Sequence, residues 1–452
     1  MAFKVTGRAE TLYEHIRTAP IVSPHGHCDP AWFAENTAFS DPADLLVVPD
    51  HYIFRMLYSH GISLQDLGIG VPADRRNPRD IFRLFAAHWY LFLGTPSQLW
   101  IEHVLRNTLG IDQPLGPDTA DDIYDQIAAW LEDPAQRPRA LFDQFGIEVL
   151  ATTDAALDPL DHHAAIADSD WTGRVIPTFR PDATINPSAP GWAQTVDQLG
   201  QMTGINVSEF SGFLAALRHR RAAFKAMGAT ATDHPIEMPN TVWLSDPADA
   251  YAQLRTGNMD MADAFHGHML IEMAQMSLED GLVMQLHAGS RRNTNRAVFD
   301  QFGPDKGADI PIAVDWVRGL DPLLNRVGND PRLTLILFTL DETTYARELA
   351  PMAGHWPCLR IGPPWWFHDS AAGIARYFDQ VVETAGYHNL AGFNDDTRAF
   401  LSIPARHDLW RRAVAQHLAQ QIDRGYFSVE TAQQIARLLA VDLARQTYKL
   451  DH

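Results

Sequence analysis

The chain has 452 residues, 46% hydrophobic and 20% charged, enough to bury a large core, so one barrel with an insertion fits as well as two or three domains. A formal charge of −20 argues against nucleic-acid or anionic-membrane partners, which call for basic surface. Two cysteines, Cys28 and Cys358, make no disulfide framework, the start "MAFKVTGRAE" lacks the apolar stretch of a signal peptide, and no apolar run reaches membrane-span length; a soluble, cytoplasmic, homo-oligomeric protein is expected.

The first apolar run is "IVSPHGH" at 21–27. Side chains alternate across a strand, so in an extended run His25 and His27 point to one side, as two imidazoles offered to a single metal ion do. An ordinary polar loop after a strand would look the same. Residues 30–148 then read as amphipathic helices, "DPADLLVV", "HYIFRMLYSHGI", "RDIFRLFAAHWYLFL", "SQLWIEHVLRNTL" and "TADDIYDQIAAWLED", with apolar residues recurring at three and four and Ser, Thr or Asp at their starts. Within "DHYIFRML", His51 and Arg55 lie one turn apart on a shared face with Tyr52 alongside.

Further short apolar runs with polar endings follow: "VLATTD" (149–154), "RVIPTFRPD" (174–182), "ATATDH" (229–234), "VMQLHAG" (283–289), "LTLILFTLD" (333–341), "LRIGPPWWFHD" (359–369) and "LAGFNDD" (390–396). Strands alternating with helices imply βαβ units and a parallel sheet. Counted with the first run they predict an α/β fold, a (β/α)8 barrel formed by residues 1–29 and 149–452, with 30–148 as a helical insertion covering its mouth. The active site of such a barrel lies at the C-terminal strand ends. The runs end there in His25 and His27, Asp154, Arg180, Asp233 and His234, His287, Trp365 and Trp366, and Asp395 and Asp396.

Eight stretches in order, "HGHCDP", "DHYIFRM", "ATTDAALDPL", "PTFRPD", "ATDH", "MQLHAGSRRNTN", "PPWWFHD" and "NDDTRAFLSIPARHDLWRR", resemble the uronate isomerase (glucuronate/galacturonate isomerase) family of the amidohydrolase superfamily. The resemblance implies a (β/α)8 barrel of the amidohydrolase kind, one divalent metal ion, with zinc expected, and aldose–ketose isomerisation of hexuronates. The chain departs from the family at His-Gly-His where His-Cys-His is usual, at "GFNDDTR", and at the C-terminal "ARQTYKLDH".

The metal ligands expected are His25, His27 and Asp396, the last matching the family's metal-site aspartate. Asp395 would face the other side of a strand. His287 is a substrate contact or a further ligand. Arg180, Arg292 and Arg398 are expected to hold the substrate carboxylate, since a planar guanidinium matches it bidentately; Arg55 and one tryptophan, Trp366, are expected beside them. Tyr52, His51 and Asp396, with Asp233 as a further possibility, are the groups for moving a proton between adjacent carbons through a cis-enediolate. The competing class is a mononuclear metal-dependent hydrolase, in which the metal generates hydroxide. A two-metal hydrolase would usually carry a bridging lysine after the fourth strand, and "ATATDH" has none.

Overall fold

A computed structural model describes residues 3–450. The barrel strands are β1 (Ile21–Ser23), β2 (Ile147–Ala151) running on into β3 (Asp154–Ala155), β4 (Val175–Ile176) running on into β5 (Phe179–Arg180), and β6 (Ala231–Ile236). They continue with β7 (Val283–Ala288), β10 (Leu335–Thr339) and β11 (Leu359–Ile361), while β8 (Ser290–Arg291) and β9 (Ile310–Pro311) form a small antiparallel ribbon in the loop after β7. The hydrogen-bonded orders β1-β2-β4 and β11-β10-β7-β6-β5-β3 join because β2/β3 and β4/β5 are interrupted single paths. Every pairing among them is parallel.

The eighth path begins where Leu390 bridges Ile361 in parallel and the Ala391 N–H donates to the Ile361 carbonyl at 2.8 Å. Further on, the His27 N–H donates to the Thr397 carbonyl at 3.0 Å, which ties the first path to the last. Sheet order, hand-over between strands and surrounding helices are those of a (β/α)8 barrel.

Along β7, Val283, Gln285 and His287 share one face and Met284, Leu286 and Ala288 the other. Both faces are buried, because the first set lies inside the barrel and the second packs under the helices. The outer face joins an apolar cluster with Phe265, Met269, Leu320, Leu337 and Phe378.

Between β1 and β2 the predicted helices are all present: Pro42–Leu46, His51–Tyr58, Pro78–Ala87, Pro96–His103 and Ala120–Leu131. Several use one device, a side chain capping the helix followed by proline in the first turn: Asp29–Pro30, Asp41–Pro42, Asn77–Pro78 and Thr95–Pro96. Their apolar faces meet in a second cluster, with Phe33, Phe82, Phe85, Ile123 and Phe142. That cluster also takes Ile21 and Leu150 from the barrel, and Phe400, Leu401 and Ile403 from beyond the last strand. Among the described residues no helix is long and apolar enough to cross a membrane.

Candidate active site

The interior face of β7 and its neighbours sets the floor of the site. His287 stacks on Phe338 of β10 with ring centroids 4.1 Å apart and on His25 at 4.7 Å. Its Nδ1 lies 2.7 Å from Asp233 Oδ1 on the adjacent β6. A carboxylate only accepts, so the imidazole donates there. That points the Nδ1–H at Asp233, and Nε2 is buried with no hydrogen-bond partner. Burial alone would raise the Asp233 carboxyl, but His287, His25 and Arg180 hold it well below the usual carboxylate range. Asp233 sits in mid-strand rather than at a strand end, since β6 runs on through Pro235 and Ile236; its pairing with β7 continues that far.

Asp396 arrives differently. Its backbone is left-handed, φ 41°, a conformation that costs an L-residue about 1–2 kcal/mol. The turn brings Oδ1 to 3.0 Å from His27 Nε2 and 3.5 Å from His25 Nε2, yet Oδ1 has no aligned hydrogen bond. Burial would raise this carboxyl as well, and the imidazoles of His25 and His27 override it and keep Asp396 ionised. Burial pulls His25 down to about 4, so the ring is neutral and able to donate a lone pair.

The ligand atoms of His25, His287 and Asp396 all lie within 4.8 Å of one another. Two imidazoles and a carboxylate, with buried and unpartnered His287 Nε2 and Asp396 Oδ1, suit one divalent ion with a coordination position left open. His27 touches the same carboxylate but is outside this mutually close set, which takes His287 in its place.

Above the ligands lies a cleft of about 220 Å³, room for a small polar molecule rather than a drug-sized one. His51 and Tyr52 face it from the first turn of helix His51–Tyr58, whose capping residue Asp50 accepts from the Tyr52 N–H and also lines the cleft. The two rings stack at 4.7 Å, and His51 meets Trp366 edge-on at 5.3 Å. Burial, followed by Arg398, Arg406 and Arg55, lowers His51 to about 3. Burial raises the Tyr52 phenol above its ordinary value. Both groups are therefore neutral at pH 7.

The three cleft arginines differ in their partners. Arg180 Nε is 3.3 Å from Asp182 and 3.8 Å from Asp233. Arg292 Nη1 is 3.1 Å from Asp309 and 3.7 Å from Asp305. Arg398 also lines the cleft and, among the described residues, has no carboxylate within ion-pair distance.

A family model described as glucuronate isomerase matches residues 3–446. The chain belongs to the glucuronate isomerase family. A uronate isomerase of Rhizorhabdus wittichii is 55% identical over 98% of this chain and 95% of that protein, and one from Mesorhizobium japonicum is 51% identical over 98% and 96%. Among solved structures, the glucuronate isomerase from Caulobacter crescentus superposes with a TM-score of 0.96 at 49% identity, covering 98% of this chain and 94% of that one. The uronate isomerase of Thermotoga maritima follows at 0.92 and 26% identity, over 99% and 100%.

Most residues singled out from the sequence of this glucuronate isomerase family member meet in the one cleft: His25, His27, His51, Tyr52, Arg180, Asp233, His287, Arg292, Trp366, Asp396 and Arg398. Arg55 does not line it. One turn beyond His51, its guanidinium lies over the Phe367 ring at 4.9 Å, on the flank where Gly307 packs against the Arg55 side chain. Both tryptophans of the pair, Trp365 and Trp366, line the cleft, where the sequence pointed to one. Asp395 turns away into the protein, its Oδ2 3.2 Å from His407 Nε2. The residues that went unnoticed are Asp305, Gly307 and Asp309 from the loop after β7, with Pro235, Asp50 and Thr397. Asp50 carries a readable signal, a capping residue directly before His51. The acidic loop carries none, because it lies between helix Arg296–Phe302 and β9, inside the β8/β9 excursion, rather than at the end of a barrel strand.

Proposed function

We propose that this chain interconverts aldose and ketose forms of open-chain hexuronates, D-glucuronate with D-fructuronate, D-galacturonate with D-tagaturonate, or both. The observation that carries this reading is Arg398. It is a cleft arginine left without a carboxylate, in the same cavity as neutral His51 and Tyr52 and the His25/His287/Asp396 cluster. A substrate carboxylate supplies the missing partner bidentately. Arg180 and Arg292, already matched by Asp182, Asp233, Asp305 and Asp309, orient sugar hydroxyls at the same wall.

Seated this way, the reacting end of the sugar faces the histidines. A positioned base takes the C2 proton, the electrons of that C–H bond form the C1=C2 bond of a cis-enediolate with oxygen on both carbons, and the proton returns to C1 while the O2 hydroxyl proton passes to O1, leaving C2 as the carbonyl. Neutral His51 and Tyr52 suit the exchange of that proton with the sugar oxygens and carbons, whereas Asp233 is occupied by His287 and holds its orientation. Trp365 and Trp366 wall the site and exclude water.

A single zinc ion held by His25 and Asp396, with His27 and His287 in reach, would polarise the carbonyl when bound. Residues 30–148 act as the cover that carries His51 and Tyr52 to the barrel mouth, and the chain works as a cytoplasmic homo-oligomer.

The test is a coupled assay of the zinc-loaded protein with D-glucuronate and with D-galacturonate. Turnover of either supports the proposal. Metal retention with turnover of neither contradicts it.

A further inference from the structure

The stretch "ARHD" within the long motif after the last strand takes no part in the chemistry above, although Arg406 is only 2% exposed. It lies in the first turns of helix Ile403–Asp423, and its guanidinium reaches three segments at once. Nη1 donates to Asp369 Oδ2 at 2.6 Å, in the loop that carries Trp366, and to the Asp395 carbonyl at 3.3 Å; Nε donates to Ser402 Oγ at 3.2 Å. The guanidinium lies over the Trp100 ring at 3.6 Å and 5.5 Å from the Tyr52 ring. Trp100 in turn meets Tyr52 edge-on at 5.5 Å.

The Asp395 carbonyl belongs to the peptide bond that leads into Asp396, the residue held at φ 41°. The next residue of the helix, His407, holds the Asp395 side chain at 3.2 Å. Carbonyl and carboxylate of one residue are thus gripped by two consecutive helix positions, directly before the strained turn. A buried guanidinium is expensive to keep unless its geometry is used, and Asp369 alone would satisfy its charge.

We propose that Arg406 is a positioning residue: it locks the left-handed turn that aims Asp396 at the histidines and, through Trp100, sets the plane of Tyr52 over the cleft. This rests on the site assigned above to Asp396 and Tyr52. Arg406 touches neither substrate nor ion; it fixes the two groups that do, one from the barrel and one from the insertion, relative to each other.

The test compares Arg406→Met/Asp369→Asn with Arg406→Lys and with Asp396→Asn. The double variant removes the guanidinium together with the carboxylate it bonds most closely, leaving Asp50 to Arg398 and Asp395 to His407. Lysine keeps the charge opposite Asp369 but has no fork to span Asp369 and Asp395 together. We expect both Arg406 variants to melt cooperatively, to lose kcat on the responding hexuronate by about tenfold or more, and to leave KM within about threefold, as for loss of support behind a ligand. Zinc loss to excess EDTA should quicken by a similar factor, a readout independent of turnover. Parent kcat and parent zinc retention in either folded Arg406 variant overturn the inference, and Arg406→Lys decides it alone if the double variant does not fold. Asp396→Asn separates the two levels. If it loses zinc while the Arg406 variants behave as the parent, only the positioning role falls; if it keeps zinc and activity, the site assignment falls and the inference with it.

Discussion

His287 and Asp396 reach the same point by opposite means. His287 sits on β7, which pairs in unbroken parallel register with β6 on one side and β10 on the other, so the pleat alone aims its ring inward. The path that ends in Asp396 has a single bridge, Ile361 to Leu390, and then leaves regular structure. Asp396 is aimed by a left-handed turn and by side chains of helix Ile403–Asp423. Regular pairing positions a group without help. Where it stops, buried polar side chains must do the positioning, and the groups they hold are those most exposed to second-site mutation.

Tyr52→Phe probes the irregular half most strongly, because Tyr52 is delivered by the insertion and not by a strand. Removing the hydroxyl of a positioned acid or base should lower kcat by about 10²–10⁴-fold with little change in melting temperature. Full activity would mean that the insertion contributes packing alone.

Arg398→Met acts two residues beyond Asp396. Loss of a charge-assisted hydrogen bond worth about 1.5–3 kcal/mol should raise KM by about 10–100-fold and lower kcat less, as seen in steady-state kinetics. Arg180→Met, by contrast, leaves Asp233 and Asp182 without their cation and should lower kcat as well. An unchanged KM in Arg398→Met would move the carboxylate to another arginine.

How far these differences were legible follows the same division. The eight paths, the insertion helices and the placement of Arg180 and His287 came from period-two and period-3.6 patterns, because regular structure writes itself into spacing; His25 and His27 lie beyond β1, which ends at Ser23, so strand alternation is not what aims them. Asp395 and Asp396 do point to opposite sides, but through the left-handed turn at Asp396 and not through the alternation of a strand. The strain at Asp396 was not legible, since it depends on Arg406 and His407, and a buried arginine in a helix reads like any surface one. Arg55 shared a helical face with His51 in spacing, yet one turn of helix was enough to carry it past the cleft rim to Phe367. Nor can spacing say which imidazoles converge: His25 and His27 are close in sequence, whereas the mutually close set takes His287 from across the barrel.

Substituting His27→Ala and His287→Ala in parallel sharpens that last point. Elemental analysis at equal protein should show the larger metal loss, about tenfold in affinity or more, for whichever histidine ligates. The geometry of the set predicts His287, and a larger loss in His27→Ala would favour the sequence pairing instead.

The smallest effect is expected at Gly26, between the two histidines. A Cβ there would stand 3.5 Å from the Thr397 carbonyl and 3.6 Å from Asp395 Oδ1, ordinary contact, and the φ needs no glycine. Gly26→Cys should shift stability by no more than about 1 kcal/mol in denaturant unfolding and leave metal content unchanged. A large loss would show the join between first and last paths to be tighter than its contacts suggest.

The central claim is that the cleft moves a proton between C1 and C2 of a hexuronate. Turnover of that sugar in D₂O, followed by NMR of the ketose, tests it directly. An enediolate leaves the abstracted proton on a base that exchanges with solvent before returning it, so deuterium should accumulate at C1, in part if the covered cleft slows exchange. Ketose formed with no deuterium at C1, at any extent of reaction, would contradict a solvent-exchanging base in this cleft and point to a shielded base or to direct hydride transfer between the two carbons.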